Sequence, residues 1–155
     1  MRSRELSRQY NRLKSLFSKI NTITADDMEV QSHWAKYLCV LSAGFLENAI
    51  KDLYGNYCSK CANQYVANFA VKSLDRIQNP KADAFLKTAG SFNSIWKDAL
   101  EKFIEDEGRK EAINSIMSNR HLIAHGKDSN ISLVRIKEYL SKSIEVIEYI
   151  EDQLI

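Results

Sequence analysis

The stretch WAKYLCVLSAGFLENAI, residues 34–50, is apolar nearly all the way round when it is placed on a helix. A helix without a polar face is normally buried in the interior of a protein. Just upstream, TADD at 24–27 is typical of an N-cap followed by acidic first-turn residues. We therefore predict a long helix over about 25–56 that forms the most buried element of the fold.

The segments on either side carry apolar residues at three- and four-residue spacing, as amphipathic helices do. The clearest series lies near the C-terminus and consists of Leu133, Ile136, Leu140, Ile144, Ile147 and Ile150. Asn79 precedes the one proline, Pro80, and is biased away from helical geometry, so a helix should stop before it. Further helices are predicted over about 3–21, 61–77, 92–106, 109–125 and 131–154, with a connector at 81–90 that has room for a short helix.

One proline and five glycines in 155 residues are few, and a β-sandwich or barrel would need many more turn residues. No alternating strand pattern competes with the helical one. The length fits one domain with a single core. The sequence therefore predicts an all-α fold, an up-and-down helical bundle of about five to six helices in a single domain over 1–155.

The net charge of +2 is too small to imply a polyanionic partner by itself. Basic side chains are nevertheless concentrated in the first twenty residues, namely Arg2, Arg4, Arg8, Arg12, Lys14 and Lys19 against the single Glu5. This predicted helix could contact phosphates, or it could simply present a solvated face. The most apolar run, residues 37–46, is too short to cross a bilayer, so we expect no membrane partner.

Three cysteines are an odd number, and the N-terminus has no apolar stretch typical of a secretory signal. We expect reduced thiols and a cytoplasmic protein. Cys58 and Cys61 form a C-x-x-C pair, but a thioredoxin-like redox role would need a βαβ setting, and an all-helical chain offers none.

Charged and titratable residues interrupt the fifth predicted helix in SNRHLIAHGK, residues 118–127. Arg120 falls in the middle of a stripe formed by Ile113, Ile116, Met117, Ile123 and Ala124. A guanidinium remains charged in a protein, and burying it unpaired would cost several kcal/mol. Arg120 should therefore face a carboxylate, a subunit interface or an anion site. Glu47 is the natural carboxylate, unless it pairs with Lys51 at i,i+4.

His125 directly precedes Gly126, a glycine placed like a helix C-cap, so His125 should lie in the last turn. A histidine there is also favourable for dipole reasons alone. Arg120 and His125 are about 140° apart around an ideal helix, so they share no face unless the helix ends or distorts. Across a symmetric dimer, however, the groups of two chains could converge on one cleft.

The segment NRHLIAHG, residues 119–126, resembles the R-x4-6-H motif of the HEPN superfamily of small helical domains. LSAGFLENAIKDLY, residues 41–54, is similar to the N-terminal half of toxin- and defence-type HEPN ribonucleases, including the RiboL-PSP-like group. The family commonly has asparagine or aspartate after the arginine. This chain has His121 at that place, with Asn119 before the arginine.

The resemblance implies a metal-independent endoribonuclease, acting as a homodimer without a cofactor, with RNA as the substrate. Arg120 and His125 would be catalytic, His121 and Asn119 would assist them, and Glu47 would orient Arg120. Attack by the RNA 2′-OH would leave a 2′,3′-cyclic phosphate and a 5′-OH. The biological role implied is that of a toxin neutralised by an antitoxin protein, or of a defence effector.

Two other functions remain open on the sequence. The chain could be a non-catalytic HEPN-like module that binds a nucleotide, an RNA or a protein. Alternatively, His121 and His125 have the i,i+4 spacing of metal ligands, but HLIAH lacks the glutamate of the H-E-x-x-H zinc motif. Combining them with Cys58 and Cys61 would require a spacing far longer than that of a zinc finger, so no metal is expected.

Overall fold

A computed structural model describes residues 1–23 and 25–155 of the chain. Within these residues the chain forms seven helices and no strand, which confirms the predicted all-α class. The helices are α1 Arg4–Ile23, α2 Met28–Cys61, α3 Gln64–Leu74, α4 Ala82–Phe92, α5 Ser94–Glu105, α6 Arg109–Ala124 and α7 Leu133–Gln153. The count exceeds the predicted five to six because the segment treated as a connector, 81–90, is a full helix, α4.

The long helix α2 is the central element, as predicted, and contacts α1, α3, α6 and α7. Leu38, Leu46 and Ile50 on it are completely buried. The Asp27 side chain accepts a hydrogen bond from the backbone N–H of Val30 at 3.0 Å, so this aspartate is the N-cap. The first residue of the predicted TADD cap, Thr24, lies outside the described residues.

Asparagines set several of the helix boundaries that differ from the prediction. The Asn63 side chain accepts from the N–H of Val66 at 3.0 Å, so α3 starts three residues later than expected. Asn93 ends α4 and also caps α5, accepting from the N–H of Ile95 at 2.8 Å. Because asparagine side chains satisfy free N–H groups at helix starts, these two positions fix where α3 and α5 begin.

The start of α6 is fixed by a buried arginine, Arg109, of which 8% is exposed. Its Nε donates to Glu145 at 2.7 Å, and its Nη2 donates to Glu107 at 2.8 Å. The guanidinium also lies 4.1 Å from the ring centroid of Phe103. These contacts join the end of α5, the start of α6 and the middle of α7, and they satisfy the charge that burial would otherwise penalise.

One hydrophobic core contains residues from all seven helices. The N-terminus of α1 is attached to α7 through Glu151, whose carboxylate accepts from the N–H groups of Arg2 and Ser3 at 2.6 and 2.7 Å. Such charge-assisted bonds satisfy backbone donors that a first helical turn cannot satisfy itself. In the described ranges, no helix is both long enough and apolar enough to cross a bilayer.

Candidate active site

The C-terminal end of α6 carries the predicted motif on an ordered turn. His125 is the C-cap, and its backbone N–H donates to the carbonyls of His121 and Leu122, both at 3.2 Å. Gly126 follows with φ +65°, a left-handed conformation that glycine adopts without strain. The predicted glycine-capped helix end is therefore present, and it holds the histidine backbone at a defined position.

The two histidines of the motif lie against each other. Their ring centroids are 4.4 Å apart with an interplanar angle of 57°, and both residues are exposed. The i,i+4 spacing places them on the same side of the last two turns of α6. Both imidazoles are therefore open to solvent at the end of α6.

Arg120 is half-buried and directly precedes His121, the first histidine of this pair. Ile116 and Met117 are buried, but Ile123 is half-buried and Ala124 is exposed, so the apolar stripe reaches the surface at the end of α6. No carboxylate lies within ion-pair distance of Arg120 in residues 1–23 and 25–155. The arginine of α6 that is buried and fully paired is Arg109.

Glu47 pairs with Lys51 and not directly with Arg120. Lys51 Nζ lies 2.8 Å from one carboxylate oxygen of Glu47, and the backbone N–H of Asn79 donates to the other at 2.7 Å. Burial by itself would raise the pKa of Glu47. The hydrogen bonds from Lys51 and Asn79, with the charges of Lys51 and Arg120, hold it below its ordinary value. Glu47 therefore interacts with Arg120 electrostatically, without a hydrogen bond between the two side chains.

Asn119 is occupied by structural hydrogen bonds. Its Nδ2 donates to the carbonyl of Ser115 at 2.9 Å, and its Oδ1 accepts from the hydroxyl of the buried Ser129 at 2.8 Å. The amide thus ties the segment between α6 and α7 back onto α6. This geometry makes Asn119 a residue that positions the turn carrying His125.

Cys39, which the sequence did not single out for this site, anchors α6 to α2 beside the motif. Its Sγ donates to the backbone carbonyl of Ile116 at 3.5 Å. Burial raises the pKa of the thiol to about 12, although a hydrogen bond from the backbone of Arg120 opposes the shift. The thiol therefore stays protonated and supports the backbone of α6. Its position in the apolar stretch 34–50 indicated burial but not this contact.

Metal ligation would need more donors than the histidine pair supplies. Among residues 1–23 and 25–155, no group of three or more His, Cys, Asp and Glu residues is arranged to hold a metal ion. Cys58 and Cys61 are free thiols in the last turn of α2, the first buried and the second exposed. The two-cysteine, two-histidine set considered from the sequence thus does not form a cluster in the described chain.

Comparison with known proteins gives one finding. The sequence model of a family described as RiboL-PSP-HEPN matches residues 4–155, which include all seven helices and the motif at the end of α6. No curated protein and no solved structure matches the chain.

Proposed function

Because the chain belongs to the RiboL-PSP-HEPN family, we propose that it is a metal-independent endoribonuclease whose catalytic residues are Arg120 and His125. The observation that carries the proposal is the end of α6, where an arginine without a carboxylate partner in the described chain precedes two adjacent exposed histidines. A cation left without an anionic partner beside proton-transfer groups is the set that cleavage of a phosphodiester requires.

The chemistry uses the nucleophile that RNA itself carries. The 2′-OH loses its proton to the imidazole of His125, and the 2′ oxygen attacks the neighbouring phosphorus. Arg120 binds the phosphate and offsets the charge that builds up on its oxygens in the transition state. The bond from phosphorus to the 5′ oxygen breaks, and that oxygen takes a proton from His121, whose ring centroid lies 4.4 Å from that of His125. The products are a 2′,3′-cyclic phosphate and a 5′-OH, and no cofactor takes part.

The active unit that we propose is a homodimer in which the two α6 ends face each other. On an ideal helix Arg120 and His125 are about 140° apart, so a cleft between two chains would bring more of these groups to one phosphate than one chain does. The enzyme would act in the cytoplasm, as its free cysteines favour. Its role would be that of a toxin held inactive by an antitoxin protein, or of a defence effector.

The test is cleavage of an end-labelled structured RNA in the presence of EDTA. We expect wild-type cleavage to be unaffected by the chelator. His125→Ala and Arg120→Ala should each lower the rate by roughly 100-fold or more, as loss of a general base or of a group that stabilises phosphate charge does. His33→Ala is the matched control, because His33 is an exposed histidine on α2 outside the motif, and it should cleave at the wild-type rate.

Three results would overturn the proposal. Cleavage that survives His125→Ala unchanged would come from another site or from a contaminant. Tight binding of RNA or of a nucleotide without any cleavage would identify the chain as a non-catalytic binding module. Activity that is lost in EDTA, with zinc in the purified protein, would favour the histidine pair as metal ligands.

A further inference from the structure

A groove of about 610 Å³ lies between α3 and α4. This volume is within the roughly 300–1,000 Å³ of ligand-binding clefts. Its floor is apolar and includes Leu74, Ile77 and Phe92. None of the residues proposed for catalysis lines it, so it is a separate feature of the surface.

The α3 wall of the groove presents aromatic rings to solvent. Phe69 lines the groove and is 75% exposed, and Tyr65, one turn earlier on the same face, is 86% exposed. Exposed aromatic rings beside a groove are the platforms on which unpaired bases stack.

The charges that line the groove are all positive. Arg76 and Lys87 contribute to its walls, and no aspartate or glutamate does. Neither cation has a carboxylate within ion-pair distance in the part of the chain that the structure describes. Cations without partners on both sides of an aromatic groove complement the phosphates of a nucleic acid strand.

One residue that lines the groove is next in the chain to a residue that contacts Glu47. Gln78 lines the groove, and the following residue, Asn79, donates its backbone N–H to Glu47 at 2.7 Å. Glu47 in turn interacts electrostatically with Arg120. A strand that leaves the groove at Gln78 could therefore continue past Glu47 to the phosphate-binding arginine.

We propose that the groove between α3 and α4 binds a single-stranded segment of the RNA substrate. Bases stack on Phe69 and Tyr65, phosphates contact Arg76 and Lys87, and the strand continues to Arg120. This assignment rests on the proposed ribonuclease function for its purpose, but the binding can be measured without cleavage. The proposal also requires the substrate to be single-stranded next to the cleavage point, because paired bases offer no free face for stacking.

The first measurement is the affinity of the full chain for a labelled 12-nucleotide single strand carrying 2′-fluoro groups, which cannot undergo 2′-OH attack. Phe69→Ala should weaken binding roughly 5- to 150-fold, the range for loss of one stacked base. Ile95→Ala removes another exposed apolar side chain, 73% exposed on α5, and should leave binding unchanged.

The second measurement is the salt dependence of the same binding. Replacing Arg76 and Lys87 by glutamine should reduce the slope of log K against log salt by about 1.4, since each single-strand phosphate contact contributes about 0.7. Replacing the exposed Lys102 and Lys137 by glutamine changes the net charge equally and should leave the slope as it is. Circular dichroism establishes that all variants are folded.

Cleavage kinetics separate the two proposals. The groove variants should raise KM with kcat retained, whereas His125→Ala should lower kcat and leave the affinity for the 2′-fluoro strand unchanged. Normal binding and cleavage by the groove variants would overturn the groove assignment alone. Binding that depends on Phe69 in a chain that does not cleave RNA would support the groove and overturn the ribonuclease. An altered oligomeric state with unaltered affinity would make the groove a protein interface and overturn the assignment.

Discussion

At the scale of single residues, the two arginines of α6 differ in whether carboxylates pair with them. This difference separates a structural role from a proposed catalytic one. Arg109 is buried and contacts two carboxylates and an aromatic ring, so its charge is compensated within the fold. Arg120 is half-buried and forms no ion pair in the described residues, and Glu47 interacts with it only electrostatically, without a hydrogen bond. The sequence placed Arg120 on the apolar stripe, but periodicity gives a direction around a helix and not a depth.

Glu47 provides a pH test at this scale. Its pKa is below the ordinary value of 4.5 in the folded chain, so its contribution to stability is complete above about that pH and is lost as the pH falls through the folded pKa. We expect Glu47→Gln to lower the free energy of unfolding by about 1–2 kcal/mol at pH 7. Urea denaturation of both proteins at pH 7 and pH 3 should show this difference shrinking in acid. A difference that is equal at both pH values would contradict the assignment.

At the scale of helices, the sequence predicted most of what positions the site. Helices α6 and α7 lie within two residues of the predicted bounds, because each buries one apolar stripe. Helix α2 is central as predicted, but it begins three residues and ends five residues later than the predicted 25–56. Helix α4 was missed as a full helix, since Pro80 and Gly90 at its ends are typical of a connector. The hydrogen bond from Asn79 to Glu47 joins segments that are far apart in the chain. Local sequence patterns carry no information about such contacts.

Arg109 provides a test at the helix scale, because it joins α5, α6 and α7. Arg109→Ala should lower the free energy of unfolding by roughly 2–3 kcal/mol, through loss of charge-assisted hydrogen bonds and of packing on Phe103. Arg109→Lys should recover only part of this, since lysine cannot reproduce the planar guanidinium contacts. Arg135→Ala, which removes an exposed pair with Glu138, should change stability by less than about 1 kcal/mol. Equal effects of Arg109→Ala and Arg135→Ala would contradict this role.

At the scale of the whole molecule, the chain is a helical bundle of the RiboL-PSP-HEPN family, as the motif and the stretch 41–54 indicated. The shared cleft that we propose would form where two such bundles meet. The exposed histidine pair and the half-buried arginine leave one end of α6 open for that contact.

At this scale we predict that the chain forms a homodimer. Sedimentation equilibrium at micromolar concentration should return twice the 17.8 kDa of one chain. The cleavage rate per chain should fall on dilution as the dimer dissociates, because the proposed cleft needs both α6 ends. A chain that sediments as a monomer at concentrations where it cleaves RNA at its full rate would contradict the shared cleft.

In the function that we propose, Arg120 and His125 direct the 2′-OH of RNA against its own phosphodiester. The most direct measurement is mass spectrometry of the new ends after cleavage of a defined RNA in EDTA, for wild type and His125→Ala in parallel. We predict 2′,3′-cyclic phosphate and 5′-OH ends from the wild type and no cleavage product from the variant. Ends with a 5′-phosphate, or the same products from both proteins, would contradict the claim.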